Sequence, residues 1–237
     1  MVDTLAELRR AVAAAPEFVI GGQPCLDLAN TVEPRGGPGH RRRVARVEYL
    51  ADYAGLIGWA VRAAVVGTAT GVRLTEAAEA RPAAARQVHR RAIALSDALY
   101  RVFGAIAQGG VPASADLDVV KAVYADAMAA ATLKQEDGGL RWSWSPEMSR
   151  GEPPDLALPL WPAAFSAIEL LTEADPSRVK LCPGGQEPED PVRCAWLFYD
   201  ETKNRSRRWC SMEGCGSAVK IRRLTDRRRA ARRPAAP

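Results

Sequence analysis

Apolar positions recur with a helical period along much of the chain. In VEYLADYAGLIGWAVRAAVV, Leu50, Tyr53, Ala54 and Ile57 share a face and predict a helix, against the cost of Gly55 and Gly58 inside it. From Thr75 to Gln108 the pattern is again helical, with a break predicted at Pro82. Its second part carries Val88, Ala92, Leu95, Leu99 and Val102 on one face. Ser114 is placed to cap a further helix reaching about Thr132, with Leu117, Val120, Tyr124 and Met128 inward. The period then changes. Asp137-Gly138-Gly139 separates two short runs, and Leu140, Trp142 and Trp144 alternate with polar residues, which predicts a hairpin. After the proline-rich GEPPDLALPLW a last helix is expected from Pro162 to Glu173. Towards the N-terminus, Phe18-Val19-Ile20 reads as a strand, Gly21-Gly22 as a turn, and Pro24 onward as a short helix. PRGGPGHRRR is a loop by composition. The predicted fold class is α+β: a mainly helical N-terminal domain over residues 1–177, then a small module over 178–237 where Cys, Pro, Gly, Trp and Arg take over.

Charge follows the same division. The 237 residues carry 33 bases and 28 acids, a net of +5. From Lys203 onward there are 12 bases and 2 acids, a net of +10, so the rest holds 33 − 12 = 21 bases and 28 − 2 = 26 acids, a net of −5. A mildly acidic body with a basic end points to a polyanion partner for that end. The most apolar stretch, Leu56 to Val66, is interrupted by Arg62 and is too short to span a bilayer. The first 16 residues include acids and Arg9-Arg10, unlike a signal peptide. The expected location is cytoplasmic, with no membrane partner. In that reducing setting five cysteines point to metal or to buried thiols.

Four of them, Cys182, Cys194, Cys210 and Cys215, lie in the last 56 residues. Cys210 and Cys215 are separated by four residues and followed by Gly216, as in a metal knuckle, where the backbone turns tightly so that two thiolates reach one ion. Two such arms complete a four-coordinate structural zinc site with no open position. Between them, CAWLFYDETKNRSRRWC reads as two short strands, Trp196 to Tyr199 and Arg207 to Trp209, and the chain from Cys215 onward as a helix: a treble-clef-like module whose folding energy comes largely from the metal. The alternative is four ordinary buried thiols. Against it, the surrounding residues are too charged to bury them. Cys182 and Cys194 are separated by eleven residues, a long arm that loop-closure entropy still tolerates.

SAVKIRRLTDRRRAARR has helical composition, with Pro234 as a stop. Lys220, Arg223 and Arg227 share a face, Arg222, Arg229 and Arg233 lie on a second row, and Val219, Ile221 and Leu224 are expected to dock the helix on the module. With Arg205, Arg207 and Arg208 these side chains form the footprint of a phosphate-backbone binder; the alternative is a solvated tail. The expected partner is nucleic acid, double-stranded DNA ahead of RNA, and the body leaves room for a homodimer contact or a small-molecule effector. No catalytic motif accompanies His40 or His89, so no enzyme is expected. Cys25, Asp27 and Asn30 in QPCLDLAN are the candidate pocket residues, with a core thiol as the alternative for Cys25.

CAWLFYDETKNRSRRWCSMEGCGSAVKIRR resembles the CGNR zinc finger, a bacterial C-terminal module, and GGQPCLDLANTV resembles the opening signature of the ABATE domain that precedes it. The resemblance covers nearly the whole chain. It sets Cys194, Cys210 and Cys215 on family positions, and CPGG at Cys182 matches the start of the family's first knuckle before an insertion. The name-giving tetrapeptide here reads Cys215-Gly216-Ser217-Ala218, without the family's Asn and Arg. The resemblance implies a zinc-dependent, DNA-binding transcription regulator.

Overall fold

The computed structural model describes residues 3–17, 19–33, 47–136, 138–144, 153–184, 194–217, 219–221 and 224–225. The expected loop around His40, the stretch between Cys182 and Cys194 past Gly184, and Arg222, Arg223, Arg227, Arg229 and Arg233 lie outside them.

Among the described residues seven α-helices carry the body: α1 (Thr4–Ala14), α2 (Pro24–Ala29), α3 (Tyr53–Arg62), α4 (Thr68–Ala80), α5 (Pro82–Ala107), α6 (Ser114–Ala130) and α7 (Trp161–Thr172). The break between α4 and α5 falls at Pro82, where the ring starts the new helix. Long α5 is the spine. Its buried stripe of Val88, Ala92, Leu95, Leu99 and Val102 is the predicted one, and α2, α6 and α4 pack along it. On α6 the buried stripe is Val120, Val123 and Ala127, rotated from expectation: Leu117 is exposed, and Ala113 rather than Ser114 precedes the first turn.

Helix α1 has no counterpart in the sequence reading. Asp3 caps it, accepting from the amides of Leu5 and Ala6 at 3.1 and 3.2 Å. It crosses α3 at Gly58, where a Cβ would lie 2.3 Å from the Ala11 carbonyl oxygen. The glycines of α3 thus serve close backbone approach: a Cβ at Gly55 would lie 2.6 Å from the Tyr49 oxygen.

Among the described residues three antiparallel strand pairs complete the α+β fold: β1 (Val32–Glu33) with β2 (Val47–Glu48), β3 (Thr132–Glu136) with β4 (Gly139–Ser143), and β5 (Val179–Leu181) with β6 (Leu197–Tyr199). The second pair is the predicted hairpin, in register Leu133↔Trp142. It is anchored by Trp144, whose indole N–H donates to the Ala127 carbonyl at 2.7 Å and whose ring meets Phe165 edge-on. Val19 and Ile20 form no strand. The third pair is a correction: β6 pairs with Val179–Leu181, register Lys180↔Phe198, and residues 207–209 are not a strand. Val179 and Leu197 belong to the main hydrophobic core, and the chain near Ser177 is a packed turn, with Arg178 donating to the Asp200 carbonyl at 2.8 Å.

Candidate metal centre

The β5–β6 ladder brings Cys182 and Cys194 to one end. The Cys182 amide donates to the Trp196 carbonyl at 2.8 Å and the Ala195 amide returns to the Cys182 carbonyl at 3.1 Å. Ala195 takes φ 52°, a left-handed turn that swings Cys194 back towards Cys182. The Gly184 amide points at the Cys182 sulfur, 3.4 Å away. The other arm is a tight turn over Met212–Gly216, opened by Ser211, whose hydroxyl accepts from the Gly214 amide at 3.2 Å. A Cβ on Gly216 would meet the Met212 sulfur at 2.8 Å, a contact relieved only when the Met212 side chain shifts.

The four sulfurs lie within 4.8 Å of one another, with Cys194 to Cys210 at 3.6 Å and Cys210 to Cys215 at 3.8 Å. Tetrahedral coordination at a Zn–S distance of about 2.3 Å sets ligand sulfurs about 3.8 Å apart, whereas a disulfide needs about 2.05 Å. All four thiols are free, and their spacing fits an ion between them. Hydrogen bonds from Cys194, then Cys210 and Cys215, hold the Cys182 thiol well below its ordinary range, while the contact with Cys182 pushes Cys194 up. By themselves the thiols share protons unequally. A divalent cation lets all four act as thiolates, and a set of four thiolates is soft enough for zinc.

Asp200 organises the loop that leads to Cys210. It is fully buried; Oδ1 accepts from the Thr202 amide at 3.0 Å and hydroxyl at 2.6 Å, and Oδ2 accepts from Lys180 Nζ at 2.5 Å and the Arg207 amide at 3.0 Å. Burial pushes its carboxyl up, but the Lys180 ammonium and the Thr202 donors together pull it well below the usual range. Lys180 also donates to the carbonyls of Arg205 and Arg207 at 2.7 and 3.1 Å.

Arg207, read from sequence as part of the basic patch, is a correction. Its guanidinium turns inward, donating to the carbonyls of Ile20 at 2.8 Å, Cys210 at 2.6 Å, Tyr199 at 3.2 Å and Trp209 at 3.2 Å, and lies 4.5 Å above the Phe198 ring. Five donors on a planar fork satisfy four carbonyls that an apolar side chain would leave orphaned. Sequence held a signal for neither role, since charge alone does not separate an inward Arg from an outward one.

The stretch holding Cys25, Asp27 and Asn30 is the other half of this joint. The Asn30 side chain pairs with Leu197 like an extra strand, donating to its carbonyl and accepting from its amide, each at 2.8 Å. Asp27 accepts from the Gly21 amide at 2.7 Å; burial pushes its carboxyl up to about 6, against the Gly21 and Ile20 amides and nearby Arg207. Cys25 is fully buried, and burial pushes its thiol up to about 12, far from a nucleophile's range. All three side chains are thus taken up inside the protein, where the candidate pocket was expected. Trp196 Nε1 donates to the Val32 carbonyl at 3.0 Å and Tyr100 to the Ala195 carbonyl at 3.0 Å, further ties between body and module.

Of the other basic candidates, Arg205 is exposed and pairs with Asp175 at 2.7 Å, while Arg208 and Lys220 are exposed. Residues 217, 219–221 and 224–225 are helical, continuing the turn that holds Cys215. Ile221 and Leu224 are 66% and 51% exposed and do not dock on the module as expected; Val219 alone of the three is half-buried. His89 Nε2 lies 2.8 Å from the Leu50 carbonyl, a structural bond.

Among the described residues no helix is long and apolar enough to cross a membrane. Comparison with known families matches residues 22–174 to ABATE, described as "Putative stress-induced transcription regulator", and residues 178–228 to the CGNR zinc finger. No curated protein matches the chain. The first match covers well over half of the sequence and the second contains all four clustered cysteines, so the chain belongs to the ABATE family and carries a CGNR zinc finger at its C-terminal end.

Proposed function

We propose that this protein is a zinc-dependent, DNA-binding transcription regulator of the cytoplasm, with one structural zinc on Cys182, Cys194, Cys210 and Cys215. The observation that carries the reading is the position of Cys215: it sits inside the turn that opens the basic helix, so a metal bound there fixes the helix's first residues. Four sulfur ligands leave no place for water or substrate, so zinc supplies folding energy rather than chemistry.

The contacting set is Arg208, Lys220, Arg222, Arg223, Arg227 and Arg229, on a segment whose net charge from Lys203 onward is +10. Arg205 joins only by leaving Asp175, and Arg207 is excluded by its carbonyl bonds. The Ser217 hydroxyl, standing where the family has Asn, donates to the Met212 carbonyl at 2.8 Å and supports the turn. This set grips phosphate and gives no base code, so affinity depends steeply on salt.

Fluorescence anisotropy with a labelled DNA duplex across a salt series tests the reading. About six phosphate contacts give a slope near −5 in log affinity against log salt. Chelation is expected to abolish the binding. A flat salt response, or equal binding by the metal-stripped chain, contradicts the proposal. Tighter binding to a matched RNA duplex at the same salt would redirect it to RNA.

A further inference from the structure

A groove of about 370 Å³ runs between α1, the end of α3 and the start of α4. Leu5, Val12 and Val61 form its apolar walls above buried Leu8. Leu5 is 39% exposed and the two valines are half-buried, so each wall is reached from solvent. The α1 side follows from spacing: Leu5, Leu8, Arg9 and Val12 fall on one side of that helix. Leu8 is used for packing, against α4 where Gly71 leaves room, while Leu5 and Val12 stay open to the groove. Clefts of this size with apolar walls and a few polar groups are the usual form of a small-molecule site.

The side-chain charges that reach the groove are of one sign. Arg9 is exposed and, among the described residues, has no hydrogen-bond or ion-pair partner. Arg62 donates from Nε and Nη2 to the Val12 carbonyl at 3.1 and 2.7 Å, which offsets the carbonyl end of α1 and leaves the Arg9 charge uncompensated. Among the described residues no acid lines the groove. Glu7, two positions from both Leu5 and Arg9, lies on the other side of α1, and α3 carries no acid. Glu76, the first acid of α4, is about 12 Å along the axis from Thr68. An apolar trough with an unpaired guanidinium at its rim suits an anion that carries an apolar tail.

We propose that this groove binds a free, small monocarboxylate with an apolar tail, its carboxylate on Arg9 and its tail along Leu5, Val12 and Val61. Helix α1 lies before the ABATE match, which begins at residue 22, and no residue of the metal module lines the groove, so the site is independent of the DNA reading. Amide chemical shifts of the full-length, metal-loaded protein, followed by NMR, test it with octanoate, 1-octanol and octylammonium, which share a tail and differ in charge. Octanoate is expected to shift amides of residues 5–13 and 61–68 saturably and to bind more tightly than octanol, with octylammonium weakest. Arg9→Gln, at an exposed position, weakens octanoate about fivefold and leaves octanol unchanged. Thr68→Glu sets a carboxylate at the groove and also in the first turn of α4, where an acid favours the helix, so its expected loss of octanoate binding is not a loss of fold. The salt slope of DNA binding stays unchanged in Arg9→Gln, so failure here and failure of the DNA reading are separate results. Octanoate that leaves those amides unshifted, octanol or octylammonium binding as tightly as octanoate, or an unaltered octanoate affinity in either variant overturns the proposal.

Discussion

Arg205, Arg207 and Arg208 stand within four positions, yet only the Arg207 guanidinium reaches the carbonyls of Ile20, Tyr199, Trp209 and Cys210. Arg207→Lys retains the charge but cannot span them, and is expected to lower stability by about 2–3 kcal/mol in denaturant titration. A loss below about 0.5 kcal/mol would show those bonds to be replaceable. Asp27 sets a pH dependence. Its carboxyl is raised to about 6 in the fold, from an ordinary value of 3.8, so the folded protein holds the proton more tightly than the unfolded chain. Its stabilising contribution is therefore complete below about pH 4 and lost as pH rises through about 6, by up to about 3 kcal/mol. Asp27→Asn keeps an oxygen for the Gly21 amide and does not ionise. Its stability is expected to lack that decline between pH 4 and 6.5, and an identical decline in both proteins contradicts the assignment.

Among the elements, the α1–α3 crossing is fixed by an absence of side chain. Gly58→Ala sets a Cβ against the Ala11 carbonyl and is expected to cost about 1–3 kcal/mol by forcing α1 away, although alanine is the better helix former. An unchanged or raised melting temperature would mean that the crossing is loose. The case shows what sequence could and could not tell. Periodicity sufficed for α5, the proline-rich stretch before Pro162 for the start of α7, the Asp-Gly-Gly turn for the β3–β4 hairpin, and Pro82 for the break before α5, since each signal is local. For α1, Asp3 with Leu5, Leu8 and Val12 was a usable signal that went unread. The β5–β6 pairing had none: its strands are separated by the long arm between the first two cysteines, and residues 207–209 looked equally suitable as the partner of β6. Proximity between Gly58 and Ala11 is a tertiary fact that no local pattern encodes.

Across the whole molecule, the metal centre and the helical body are built into each other. Sequence clustering was enough to bring forward the four cysteines, because thiols so placed among charges have few other uses. It could not show that Leu197, three residues after Cys194, enters the body's core, or that Asn30 in the opening signature pairs with it. Removal of a metal bound there is therefore expected to loosen β6 and, through it, the contacts of α2, rather than to free a detached tail. Native mass spectrometry of the purified chain reads metal content and compactness together. The expected spectrum is a narrow, low charge-state series carrying one zinc ion in place of two protons at each charge state, replaced in Cys210→Ser by a metal-free, broader and more highly charged series. A wild-type chain equally compact without any bound ion would contradict the account.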